Sequence, residues 1–143
     1  MKSSPCSKRS TLVAVLFSLV ALIGACGGDA DAGSDAGLRL VSADSAGDIF
    51  DNQPEDLVIL DVRTPEEFDA GHLDGAIMID FYEDDFAERI SDLDRDQPYL
   101  LYCRSGNRSG STFDLMQELG FTDVADVDGG IGAWLDAGLP VVQ

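Results

Sequence analysis

Residues 103–110, Cys103-Arg104-Ser105-Gly106-Asn107-Arg108-Ser109-Gly110, carry no acidic side chain, in a chain with 27 Asp and Glu against 9 Lys and Arg. Cysteine acts chemically as its thiolate, which forms where hydrogen-bond donors and positive potential surround the sulfur. This octapeptide has the residue types for both. Gly106 lets the backbone curl without side-chain collision, and a curled loop aims several amides at one centre. A helix starting after the loop adds about half a positive charge from its N-terminus, and Arg104 and Arg108 add two more charges. The competing reading is an inert cysteine closing a buried strand. The five polar, flexible and basic residues after Cys103 argue against it.

A strand must deliver such a loop and a helix must leave it. Pro98–Tyr102, PYLLY, reads as a strand running straight into Cys103. Residues 108–119 read as a helix with Phe113, Met116 and Leu119 on one face, ended by Gly120. Elsewhere, short apolar runs alternate with helical patterns. Strands are expected over Leu38–Val41, Leu57–Val62, Ala76–Ile79 and Val124–Val127. Helices are expected over Ser42–Phe50, from Thr64 to before Gly71, over Glu83–Leu93 and over Ile131–Ala137. Thr64-Pro65-Glu66-Glu67 combines a cap, a proline at the first helical position and early acids. The alternation implies an α/β domain, a parallel sheet of about five strands with helices on both faces. Ligands of such sheets bind beyond the carboxyl ends of the strands, where Cys103 falls.

Other polar residues carry less. His72 is the only histidine, but a thiolate held by amides needs no general base, so a structural role is expected. Trp134 reads as core. One histidine and one cysteine within residues 38–143 cannot build a zinc site, so neither metal nor cofactor is expected.

The N-terminus reads as a leader. Lys2, Lys8 and Arg9 precede a nearly unbroken apolar run, Leu12–Ile23, of signal-peptide length and short for a bilayer span. The run closes with Ile23-Gly24-Ala25-Cys26, which resembles a bacterial lipobox and implies cleavage before Cys26 and acylation of it. A plain signal peptide cut at an A-x-A-like site, or an uncleaved anchor, is the alternative. Acyl chains would hold the protein to a membrane at about 0.8 kcal/mol per buried methylene. Residues 27–37, GGDADAGSDAG, have no core-forming residue. The expected organisation is a leader over 1–25, a flexible acidic tether over 26–37 and a domain over 38–143. Losing 1–25 leaves six arginines against all 27 acids, a formal charge of −21. Such a surface disfavours nucleic acid. The expected location is the extracytoplasmic cell envelope, with the protein a tethered monomer anchored by lipid on Cys26. Cys103 then has no intramolecular disulfide partner in the domain.

Four motifs, in order, resemble those of the rhodanese (sulfurtransferase) family across nearly all of residues 38–143. They are Leu60-Asp61-Val62-Arg63-Thr64-Pro65-Glu66-Glu67-Phe68, Gly71-His72-Leu73-Asp74-Gly75-Ala76-Ile77, the loop Cys103–Ser109, and Asp128-Gly129-Gly130-Ile131-Gly132-Ala133-Trp134. Asp74 departs from a common proline and bears on a turn. The resemblance implies that Cys103 takes sulfur from a donor such as thiosulfate, forms a persulfide and yields that sulfur to cyanide or a thiol, a partner protein's thiol included. It implies substrate binding by Arg104, Ser105, Gly106, Asn107, Arg108 and Ser109, with the two arginines on the donor's sulfonate. It implies supporting roles for Asp61 and Arg63, with pairing to neighbouring acids such as Glu67. Related folds that hydrolyse phosphate esters place five residues between cysteine and arginine. Here four separate Cys103 from Arg108, which favours sulfur chemistry. The alternative to a turning-over enzyme is an envelope sulfur carrier or a partner-binding module.

Overall fold

A computed structural model of the chain describes residues 37–143 apart from residue 55. The leader expected over 1–25, Cys26 and the tether up to residue 36 lie outside the described residues. The elements run β1 (Leu38–Val41), α1 (Ala43–Asn52), β2 (Val58–Asp61), α2 (Pro65–Asp69), β3 (Ile77–Met78), α3 (Phe86–Ser91), β4 (Pro98–Tyr102), α4 (Asn107–Leu119), β5 (Asp123–Val127) and α5 (Gly130–Asp136).

The five strands form one sheet in the order β1-β5-β4-β2-β3, with every pairing parallel. β4 lies in the middle, pairing β2 through Leu101↔Leu60 and β5 through Leu101↔Asp126. A parallel sheet requires cover on both faces, and the alternation of side chains along each strand supplies two cores. On one face Leu60, Tyr99, Leu101 and Val124 pack with Phe86 and Ile90 of α3 and Met116 of α4. On the other Ile59, Leu100, Tyr102, Ala125 and Val127 pack with Ala46 of α1 and Ile131 and Trp134 of α5. Each fully buried large aliphatic side chain contributes about 1.5–3 kcal/mol. The parallel α/β architecture with helices on both faces is thus as expected.

Capping signals in the sequence explain several helix starts. Ser42 accepts the Ser45 amide at 3.2 Å and caps α1. Thr64 and Glu67 form a reciprocal capping box at the start of α2, with Pro65 as its first residue. Gly120, at φ 84°, closes α4 as its C-cap. α3 is shorter than the Glu83–Leu93 expected from residue types. Residues before it are held in successive turns, Glu83 N–H donating to Asp80 O at 3.2 Å and Phe86 N–H to Glu83 O at 3.0 Å. The helix begins where Phe86 enters the core. Strands β2 and β3 are also shorter than the apolar runs containing them, although sheet-like hydrogen bonds continue one residue on, Val62 N–H donating to Tyr102 O at 3.1 Å and Ile79 N–H to Asp61 O at 2.9 Å.

Candidate functional site

Cys103 directly follows β4, at the carboxyl end of the central strand. Its residue is 1% exposed and borders the core shared by Leu101 and Met116. The sulfur itself meets polar groups: Sγ accepts the Gly106 amide at 3.1 Å. Gly106 has φ 93° and stands at the N-cap of α4, and a Cβ there would lie 3.4 Å from the Gly129 amide nitrogen. The positive φ calls for glycine, while the space would admit a Cβ in ordinary contact. Burial pushes the Cys103 thiol up, but hydrogen bonds from the Ser109 side chain and the amides of Ser109, Ser105 and Gly106 outweigh it. The net effect is a pKa below the ordinary thiol value. Donors held in place, more than the arginine charges weighed in the sequence, favour the thiolate.

The two loop arginines differ in their surroundings. Arg108 is committed: its Nη1 donates to Glu67 Oε2 at 2.7 Å and its Nη2 to Oε1 at 2.9 Å. Its guanidinium also lies over the Tyr82 ring, 5.6 Å from the centroid. The Arg108 hydrogen bonds hold the Glu67 carboxyl down at about 2. Arg104 enters none of the ion pairs of the described residues and is exposed. The expected Arg63–Glu67 pairing is not what forms. Asp61 and Arg63 lie two apart on an extended segment and meet on one side, with Arg63 Nη2 on Asp61 Oδ2 at 2.7 Å. The same Nη2 donates to Gly71 O at 2.8 Å. Glu67, on α2, faces the start of α4 instead.

Asp61 and Arg63 are both buried, and they act on β4 through its last residue. Tyr102 lies under the Arg63 guanidinium, 5.5 Å from ring centroid to Cζ, and its Oη accepts the Leu73 amide at 3.2 Å. This network fixes the residue preceding Cys103. His72 is elsewhere: it stacks on Phe68 at 3.7 Å and donates from Nδ1 to Phe68 O at 3.0 Å. Trp134 is core, its Nε1 donating to Pro140 O at 2.9 Å.

The Asp128–Trp134 motif does more than end the domain. Ile131 N–H donates to Cys103 O at 2.8 Å and Gly132 N–H to Arg104 O at 3.2 Å. Gly130, at φ 58°, lies so close that a Cβ would fall 2.3 Å from Cys103 O. The start of α5 thus clamps the outgoing backbone of the cysteine. The sequence motif alone assigns this segment no role; its paired glycines are the signal that could have found it. Tyr82 escapes sequence reasoning too, since it and the adjacent Phe81 lie between the expected strand and helix with no periodic pattern to assign them.

Two open depressions flank the loop, and Arg104 and Ser105 border both. One, of about 380 Å³, is walled by Thr64, Glu67 and Tyr82 opposite Asn107 and Arg108. The other, of about 580 Å³, runs along Ile131, Gly132 and Asp136 of α5. The structure therefore gathers Cys103 through Ser109 in one place, with Ser109 fully buried beneath the loop rather than facing a ligand.

The model of the rhodanese-like domain family matches residues 42–137. A probable adenylyltransferase/sulfurtransferase MoeZ from Mycobacterium tuberculosis is 37% identical over 78 residues, 54% of this chain. The matched part spans only 20% of that relative's length. A thiosulfate sulfurtransferase GlpE from Pseudomonas putida is 40% identical over 80 residues, covering 56% of this chain and 71% of that protein. The crystal structure of a rhodanese-related protein from Thermoplasma volcanium superposes with a TM-score of 0.62 at 34% identity, covering 73% of this chain and 97% of that one.

Proposed function

Because the chain belongs to the rhodanese-like family over residues 42–137, we propose that it transfers sulfane sulfur through Cys103, with thiosulfate or a similar anion as donor. The observation that carries this reading is the Cys103 sulfur under the Gly106 amide, 3.1 Å away, in a loop that favours its ionised form. The relatives named as sulfurtransferases support the same class of reaction.

In the first half-reaction the Cys103 thiolate attacks the outer sulfur of thiosulfate. A Cys103 Sγ–S bond forms, the donor's S–S bond breaks, and sulfite leaves with the bonding pair. The terminal persulfide sulfur carries the negative charge, and the loop amides donate to it as they donated to the thiolate. In the second half-reaction cyanide or a thiolate attacks that terminal sulfur, and Cys103 leaves as thiolate. No proton moves at Cys103, so the cycle needs no base beside it. Arg104, exposed and bordering both depressions, offers the charge-assisted hydrogen bonds that bring in the sulfonate. Arg108, held by Glu67, shapes the wall and leaves its neighbour the main recruiting charge.

A second reading, a carrier that stores sulfur for a partner, is favoured by the near-complete cover of Cys103, since a covered persulfide is shielded from stray thiols. Steady-state thiocyanate formation from thiosulfate and cyanide separates the two. Enzymatic transfer predicts parallel double-reciprocal lines, the signature of a ping-pong sequence, and no activity in Cys103→Ser. Transfer that stops after one equivalent would identify the carrier.

On the same reading the domain sits on the extracytoplasmic side of a membrane as a monomer tethered through acylated Cys26. Its support is the sequence of residues 1–26, the basic start, the apolar run Leu12–Ile23 and the small residues before Cys26.

A further inference from the structure

The smaller depression beside the cysteine loop is bordered by three charged side chains, Glu67, Arg104 and Arg108. Two of them are locked together. The bonds of 2.7 and 2.9 Å run from both terminal nitrogens of Arg108 to both carboxylate oxygens of Glu67, the bidentate fork that is strongest among such pairs. Each partner is also held from its own side. Glu67 Oε2 accepts the Thr64 amide at 3.3 Å, and the Glu67 amide donates to Thr64 Oγ1 at 3.4 Å, within the capping box of α2. The Arg108 guanidinium lies over the ring of Tyr82, a residue that is itself 68% exposed. The pair is not sealed in the core. Its side chains remain 14% and 22% exposed and face the depression.

The cap does not account for the charge. A capping box takes glutamine as well as glutamate, since it needs an acceptor oxygen and no charge. The ion pair does use it. An anion entering the depression meets Arg108 and Glu67 at similar range, and the two cancel. One net positive charge, Arg104, is left on these walls; without the Glu67 charge there would be two. Neighbouring charges do not alter this difference. The Asp61–Arg63 pair is buried and self-compensating. Asp126, 2% exposed in the sheet on β5, borders neither depression. Arg108 holds the Glu67 carboxyl down at about 2, so its charge is present at any pH at which a thiolate reacts.

We propose that Glu67 is a specificity-determining residue: by cancelling the charge of Arg108 beside the cysteine loop, it limits the preference of Cys103 for anionic reagents and weighs most against doubly charged donors. This deepens the reading of Cys103 as the sulfur-accepting nucleophile and rests on it. Coulomb energy scales with the charge of the incoming molecule. The factor that Glu67 imposes on a dianion is therefore the square of the factor on a monoanion, and a neutral reagent feels none.

The test compares alkylation of Cys103 by iodoacetate, a monoanion, and by iodoacetamide, which is neutral. Both attack the same thiolate, so the ratio of their rates cancels any change in thiolate fraction and reports the local potential. It needs no sulfur donor and so tests Glu67 whether or not the chain transfers sulfur. Glu67→Gln keeps the capping oxygen and is expected to raise the ratio about threefold at low ionic strength. The gain should shrink at 1 M salt, where the Debye length is about 3 Å. Arg108→Gln, which leaves Glu67 uncompensated, is expected to lower the ratio by a similar factor. The double variant removes both charges and should return to the wild-type ratio. An unchanged ratio in folded Glu67→Gln overturns the proposal, and so does a double variant that does not return. Should Glu67→Gln fail to fold, Arg108→Gln decides alone, and an unchanged or raised ratio there overturns the proposal. Sulfur donors give a second readout. In Glu67→Gln, kcat/KM is expected to rise about ninefold for thiosulfate, a dianion, and about threefold for methanethiosulfonate, a monoanion. Equal changes for both donors, or a loss with both, would show that Glu67 acts only by holding Arg108 in place.

Discussion

At the residue scale, Cys103 combines two features that a sequence presents as alternatives. It is a core residue by burial and a loop residue by hydrogen bonding. The residue types after it made the amide-lined loop legible, but not its depth, because burial depends on how closely α5 approaches. Asp126 lay within reach of sequence reasoning. In Val124-Ala125-Asp126-Val127, period-two alternation puts Asp126 on the face of Val124, an acid where a core residue belongs. The burial of this carboxyl also predicts a stability effect with a definite sign. A carboxyl whose folded value, about 6, lies above its ordinary 3.8 stabilises the fold when protonated. That contribution is complete below about pH 3.8 and is lost as pH rises through about 6. Asp126→Asn is therefore expected to stabilise the domain by about 1–3 kcal/mol at pH 8 and to change little at pH 4. Urea unfolding at the two pH values checks this, and an equal effect at both would contradict it.

At the element scale, the loop is a junction of three pieces: the end of β4, the first turn of α4 and the first turn of α5. Sequence patterns located all three, since PYLLY, the Phe113-Met116-Leu119 face and the Gly129-Gly130 pair each stand out. Their mutual contacts were not legible. The Glu67–Arg108 pair joins residues 41 apart in sequence, one on α2 and one on α4. The α5 clamp gives a contrast between two glycines with similar backbone angles. Gly130 has φ 58° and a Cβ there would strike Cys103 O, whereas Gly138 has φ 76° and open space around it. Gly138→Ala is expected to cost only the backbone term, about 1 kcal/mol. Gly130→Ala should cost about 3 kcal/mol or more and slow alkylation of Cys103, because the cysteine backbone must move. Thermal unfolding of the two variants measures the difference, and equal losses would show that α5 does not clamp the loop.

At the scale of the whole molecule, a strongly acidic chain keeps its nucleophile in a locally basic loop. Interactions between exposed charges fade over about 8 Å at physiological ionic strength, so on the proposed function Arg104 governs the last approach of the anionic donor even though the chain as a whole repels it. Attachment to the envelope is a separate claim. Cys26→Ser is expected to abolish labelling by radioactive palmitate and to release the protein from the membrane fraction; retention of either would contradict lipidation there. The domain's proposed chemistry is tested most directly by intact-protein mass spectrometry after incubation with thiosulfate and removal of excess donor. The expected result is a gain of one sulfur atom, located on Cys103, removable by cyanide and absent in Cys103→Ser. A folded protein that gains no sulfur from thiosulfate or from a low-molecular-weight persulfide would contradict it.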